Sequence, residues 1–149
     1  MVRSWLAKKV ITRNIEALNR GDVRPTLRME APDVHFHFPG SSSWAAEFTT
    51  RDKVEAWLKR MVATGIQHEI DAVVVGGPLW RMTIVLRGRD HAAEADGTPI
   101  YDNRYVIWAT TRWGLIRDYE VYEDTEKATA FDAHLVATQA PTGALATTD

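Results

Sequence analysis

The chain has 149 residues, close to the ~150 of an average single domain and enough to bury roughly 68–70% of its surface around a core with an internal pocket, without metal or crosslinks. The absence of cysteine excludes disulfide scaffolds, thiolate zinc sites and cysteine nucleophiles together. With 18 Lys and Arg against 20 Asp and Glu, a net charge of −2, nothing in the overall balance favours nucleic acid or an anionic membrane, while six Trp, four Tyr and four Phe fit a protein that handles something apolar or has a large core.

The N-terminal Met1-Val2-Arg3-Ser4-Trp5 leads to Lys8-Lys9 without the apolar stretch of a signal peptide, and no segment reaches the ~18 apolar residues of a membrane span. The expectation is a soluble, cytoplasmic protein without a membrane or nucleic-acid partner. Residues 1–136 read as one domain and 137–149, Ala/Thr-rich and aperiodic, as a flexible tail. Ser4 is placed to cap a first helix with Leu6, Val10, Ile11, Ile15 and Leu18 at helical spacing, ended by Gly21-Asp22. A second, shorter helix is expected from Pro25 to about Met29. Val34 to Phe38 alternates with period two up to Pro39-Gly40 and predicts a short strand, followed by a Ser/Gly/Trp loop. Thr49 or Thr50 then caps a helix with Val54, Trp57, Leu58, Met61 and Val62 as its apolar stripe, closed by Gly65. From Ile66 onward the pattern predicts four strands in consecutive hairpins, Ile66–Val75, Leu79–Arg89, Ile100–Arg112 and Leu115–Glu123, before a last helix capped by Asp124 or Thr125. Helices segregated from a run of antiparallel strands indicate an α+β fold with helices over one face of the sheet.

Several polar residues fall on faces expected to be buried. Asn14 points into the middle of the first helix's apolar stripe, where an amide needs a partner. His35 and His37 share the face opposite Val34, Phe36 and Phe38 and read as edge residues rather than metal ligands. His68 lies in register with Ile66, Ile70 and Ala72 on the inward face. In the second long strand Trp80, Met82, Ile84 and Leu86 share the inward face, and the arginines on the other face have acidic neighbours across the strand pair. The last two strands carry polar residues on both faces: Tyr101, Asn103 and Tyr105 with Arg117, Tyr119 and Val121 on one, Asp102, Arg104 and Asp118 on the other. No Gly-rich phosphate loop, G-x-S-x-G elbow or H-E-x-x-H is present, so no cofactor and no metal are expected.

Ala17-Leu18-Asn19-Arg20-Gly21-Asp22, Phe38-Pro39-Gly40, Asn103-Arg104-Tyr105 and Gly114-Leu115-Ile116 followed by Tyr122-Glu123-Asp124-Thr125 resemble, in order and spacing, the nuclear transport factor 2-like superfamily and its SnoaL-like and steroid-isomerase-like members, over roughly residues 4–135. The resemblance implies a cone of curved antiparallel sheet closed by helices around an apolar pocket, commonly in a homodimer, and a steroid, terpene or polyketide type of ligand. It also implies where acids would stand, and there this chain differs. The steroid isomerases' tyrosine falls at Asn14, their general base at Phe38 and their second acid near Val106; the cyclases' acid falls at Val121 and the epoxide hydrolases' Arg-x-Asp pair near Ile84 and Leu86.

Two readings follow. In the first, the chain is an isomerase- or cyclase-like enzyme, with Asp118, brought inward by a one-residue bulge, or a histidine as proton carrier, and Tyr105 and Asn103 polarising a carbonyl. Asn14, Phe38, Trp57, His68, Asn103, Arg117, Tyr119 and Val121 then contact the ligand. In the second, the same cone is a non-catalytic carrier or dimeric scaffold, because the familiar acid positions are apolar.

Overall fold

The computed structural model describes residues 2–138, with side chains from Ser4 onward; the expected tail falls outside the described residues from 139 on. The elements in chain order are α1 (Val2–Asn19), α2 (Arg24–Leu27), β1 (Glu30–Phe38), β2 (Ala46–Phe48), α3 (Arg51–Ala63), β3 (Gln67–Gly76), β4 (Thr83–Ala93), β5 (Pro99–Arg112), β6 (Leu115–Glu123) and α4 (Thr125–Ala137). Strands β3 to β6 form the expected antiparallel meander, and the full sheet has the order β2-β1-β6-β5-β4-β3. It is curved and unclosed, giving an α+β architecture. One pairing departs from the all-antiparallel expectation: β1 runs parallel to β6. The crossover through α3 lets β1 enter the sheet beside the last strand and in its direction.

Local chemistry accounts for the boundaries. Gly21 and Gly65, with φ of 83° and 79°, take the left-handed conformation that ends α1 and α3. The Asp124 carboxylate accepts hydrogen bonds from the Glu126 and Lys127 amides and caps α4, and Thr50 occupies the N-cap position of α3. Helix α1 packs on β3, α3 on β1 and α4 on β5. Their shared core contains Val34, Phe36 and Phe38 of β1, Val54, Trp57 and Leu58 of α3, and Phe131 and Leu135 of α4. Phe36, wholly buried, has the rings of Tyr119 and Trp57 at 4.9 and 5.0 Å. Truncating it to alanine removes a ring worth about 3–5 kcal/mol.

Several expected boundaries shift. β1 begins at Glu30 rather than Val34, and the loop after Gly40 contains β2, paired with β1 from Phe36↔Phe48 to Phe38↔Ala46. Leu79 to Met82 lie outside β4 and Trp80 is exposed rather than inward, while β4 continues past Arg89 to Ala93. Two bulges re-aim side chains. On β3 the pairs Ile70↔Gly88 and Ala72↔Arg87 leave Asp71 as an inserted residue, after which Val73 instead of Ala72 faces the core. On β6 the pairs Thr110↔Asp118 and Thr111↔Ile116 leave Arg117 as the insertion.

Candidate functional site

The concave face of the sheet and the helices above it enclose a cavity of about 70 Å3, several times the ~10–15 Å3 that a single water requires. Carbon dominates its wall: Ile15 and Leu18 of α1, Trp57, Leu58 and Met61 of α3, Ile107 and Val121 of the sheet, and Phe131 of α4. The loop between β1 and β2 contributes Trp44. Its ring lies under the Arg60 guanidinium at 3.8 Å, its carbonyl accepts from the Trp57 indole at 3.0 Å, and Arg60 donates to the Ser43 carbonyl at 2.7 Å. Asp132 of α4 accepts from the Ser43 amide at 2.9 Å, so two helices fix this wall.

Into this apolar space the sheet projects ionisable groups. His68 of β3 and Asp90 of β4 are directly opposed in the antiparallel ladder, and Asn103 of β5 is Asp90's opposite on the other side. His68 Nδ1 and Asp90 Oδ1 are 2.5 Å apart and both side chains are nearly buried. The other ring nitrogen, Nε2, is buried without a hydrogen-bond partner. An ionised Asp90 accepts from Nδ1–H and leaves the lone pair on Nε2, the arrangement of an oriented general base. The backbone under His68 is also held: Asn19, at the end of α1, accepts from the His68 amide at 2.8 Å and donates to its carbonyl at 2.9 Å.

A second polar group comes from β5 and β6. The Asn103 amide donates to the Tyr101 hydroxyl at 3.0 Å and to the Asp124 carbonyl at 3.0 Å, and the Tyr101 hydroxyl donates to Glu123 at 3.1 Å. Burial, reinforced by the negative charge of Asp90, pushes the Glu123 carboxyl up to about 7, opposed by the Tyr101 hydrogen bond. Burial first, then nearby acids, hold the phenols of Tyr101, Tyr105 and Tyr119 above the usual tyrosine range. The cavity therefore presents an oriented imidazole at His68 with an unpartnered Nε2, and at Glu123 a carboxyl pushed up to about 7.

Of the residues singled out in the sequence, Phe38, Trp57, His68, Tyr105, Tyr119 and Val121 line the cavity, and Asn103 is buried behind Tyr101. Tyr105 spends its hydroxyl on the Glu69 carbonyl at 3.2 Å, so it braces β3 rather than offering a free donor to a ligand. Three residues lie elsewhere. Asn14 turns toward α2, donating to the Pro25 carbonyl, with Met29 beside it. Arg117, the inserted residue of its bulge, has its guanidinium on Asp33 at the surface. Asp118 lies furthest from its expected place: the bulge expels Arg117 and leaves Asp118 on the outer face, where it accepts from Thr110 at 2.7 Å and sits 3.8 Å from His35. It cannot carry protons in the cavity. The acids that line it, Asp90 and Glu123, each lie one step further along an alternation already visible, Ile84-x-Leu86-x-Gly88-x-Asp90 and Tyr119-x-Val121-x-Glu123.

The model of the SnoaL-like domain matches residues 11–119. The chain belongs to the SnoaL-like family. Among solved structures, this SnoaL-like chain is similar to Bal32a from a soil-derived mobile gene cassette, with 20% identity, 83% of this chain and 94% of the other covered and a TM-score of 0.69. It is also similar to TerC co-crystallised with polyporic acid (18% identity, 84% and 96% covered, TM-score 0.68). A polyketide cyclase-like protein from Xanthomonas campestris pv. campestris gives 19% identity, 85% and 96% coverage and a TM-score of 0.60. No curated protein sequence matches the chain. At these identities the likeness shows the nuclear transport factor 2-like fold. Phe38 and Val121 line the cavity of this SnoaL-like domain as carbon surface and Val106 stands on the outer face, so its inward acids come from other positions than those implied by the resemblance.

Proposed function

We propose that this SnoaL-like domain binds a small, largely apolar molecule in the cavity and catalyses proton transfer on it, as in isomerisation, cyclisation or hydration. The observation that carries the reading is His68, with Nδ1 held by Asp90 and Nε2 unpartnered inside an aromatic cavity. On an enolisable ketone, Nε2 takes the proton of a carbon next to the carbonyl, the C–H electron pair moves into the enolate, and neutral Glu123 protonates the oxygen. Reversal at another carbon completes an isomerisation. A positioned acid or base contributes typically ~10²–10⁴-fold. The polyporic acid of TerC and the polyketide cyclase-like relative support ring-bearing, oxygenated substrates for this chain as well.

Binding is tested by titrating the protein with a compact aromatic ketone, 2-tetralone, and following tryptophan fluorescence from Trp44 and Trp57. Saturable binding is expected in the wild type and its loss in Ile107→Trp, which fills the cavity; equal binding by both overturns the assignment of the cavity. The second reading, a carrier, draws on the apolar Phe38 and Val121 and predicts binding with no proton exchange. A second copy of the chain would pack on the outer sheet face, where Val74, Val106, Trp108 and Tyr122 are exposed; Trp108→Glu is expected to convert a dimer to a monomer by gel filtration.

A further inference from the structure

We propose that the end of the molecule formed by the start of α1 and by the β3–β4 and β5–β6 turns docks onto an anionic phospholipid membrane. This end lies away from the cavity's polar groups and is independent of the proposed reaction. The two turns are tied together, with the Trp113 amide donating to the Trp80 carbonyl at 3.0 Å and the Thr111 amide to Met82 at 2.8 Å. A groove between them and α1 is lined almost wholly by carbon, from Leu6 and Val10 to Leu79, Met82 and Ile116. Around it the large apolar side chains point to solvent: Trp5 is 63% exposed, Leu79 61%, Trp80 57% and Trp113 77%. Trp113 also holds a φ of 52°, a left-handed conformation that disfavours a bulky side chain, and at that exposure packing returns little for it.

Charge distribution identifies the partner. Within this end, residues 4–10, 76–84 and 110–117 carry two, one and two Lys or Arg respectively and no Asp or Glu, and Asp118 lines a groove with Arg81 and Arg112. At the tip Lys8, Arg81 and Arg112 are exposed and have no ion-pair partner among the described residues. The net charge of −2 averages this asymmetry away, which is why composition gives no sign of it. Tryptophan, leucine and unpaired basic side chains on protruding turns match the headgroup region of an anionic bilayer, where indole rings sit at the interface and arginine meets phosphate. A second copy of the same surface would oppose like charges, and a nucleic acid would leave the aliphatic groove uncovered.

The test is flotation of the whole chain with vesicles of pure phosphatidylcholine and of phosphatidylcholine with 30% phosphatidylglycerol, at about 50 and 300 mM salt. Binding is expected only to the anionic vesicles and is expected to weaken at high salt. Arg81→Gln with Arg112→Gln should lower partitioning about 25-fold, near fivefold per charge, and Trp80→Ala with Trp113→Ala at least about tenfold. Because the charge variant touches no packed residue, it keeps the test valid should the tryptophan variant lose stability. No binding at low salt, partitioning unchanged in both variants, or displacement of vesicles by a thymidine oligonucleotide would overturn the proposal.

Discussion

His68 and Asp90 face each other directly across β3 and β4, with their side chains 2.5 Å apart on the inner face of the sheet. Both strands continue on either side of the pair, so the distance is set by the ladder rather than by loops. A double-mutant cycle on His68→Ala and Asp90→Ala is expected to give a coupling energy of about 1–3 kcal/mol, as for a buried charge-assisted hydrogen bond. Additive single effects in urea denaturation would place the two groups apart in solution.

Glu30, at the start of β1, is wholly buried with neither carboxylate oxygen hydrogen-bonded, and burial pushes its carboxyl from 4.5 up to about 7 against the pull of Arg51. As pH rises the unfolded chain releases this proton first. The stability that this group contributes is therefore full below about pH 4.5, falls on the way to about 7, and is lost above. The loss is on the order of 3 kcal/mol. Glu30→Gln removes this slope, so its stability relative to wild type should be greater at pH 8 than at pH 4 by that amount. Parallel profiles would show that Glu30 titrates normally.

Gly88 of β4 lies between Ile70 and Tyr105 in the sheet, and a Cβ there would collide with the Glu69 carbonyl oxygen and the Tyr105 hydroxyl. The missing side chain is what lets Tyr105 reach across β4 to brace β3 beside His68. Gly88→Ala is expected to cost about 2–3 kcal/mol and Tyr105→Phe about 1 kcal/mol, measured by denaturation. A neutral Gly88→Ala would mean that the strands separate more easily than this geometry requires.

Trp113 and Gly114, with φ of 52° and 84°, form the two-residue turn between β5 and β6. Asparagine tolerates the first of these conformations better than tryptophan. Trp113→Asn should raise stability by about 0.5–1 kcal/mol while weakening vesicle binding, a trade of stability against function. A fall in Tm would show that the ring packs in solution.

The alternation of apolar residues makes the meander, α3 and the inward faces of β5 and β6 legible in the sequence, because a strand buried on one side enforces period two. Asp90 and Glu123 escape because a carboxylate at the end of an alternation reads as its end, although burial here continues through them. Arg117 and Asp118 show the other limit. A single inserted residue decides which of them turns outward, and nothing in Gly114-Leu115-Ile116-Arg117-Asp118 marks where it falls. Trp80 reads as core because it continues the phase of Met82 and Ile84, yet the strand starts only at Thr83. The parallel entry of β1 depends on packing through α3, which periodicity does not encode.

The proposed proton transfer makes the cavity an acid–base site built on His68, Asp90 and Glu123. It is tested most directly by proton exchange at the carbons next to the carbonyl of 2-tetralone in heavy water, followed by NMR. Exchange well above buffer is expected for the wild type, with a loss of about 10²–10⁴-fold in His68→Gln and Asp90→Asn and an unchanged rate in Asp118→Asn. Exchange no faster than in buffer while the ketone binds, or a rate lost in Asp118→Asn and kept in Asp90→Asn, would contradict the proposed transfer.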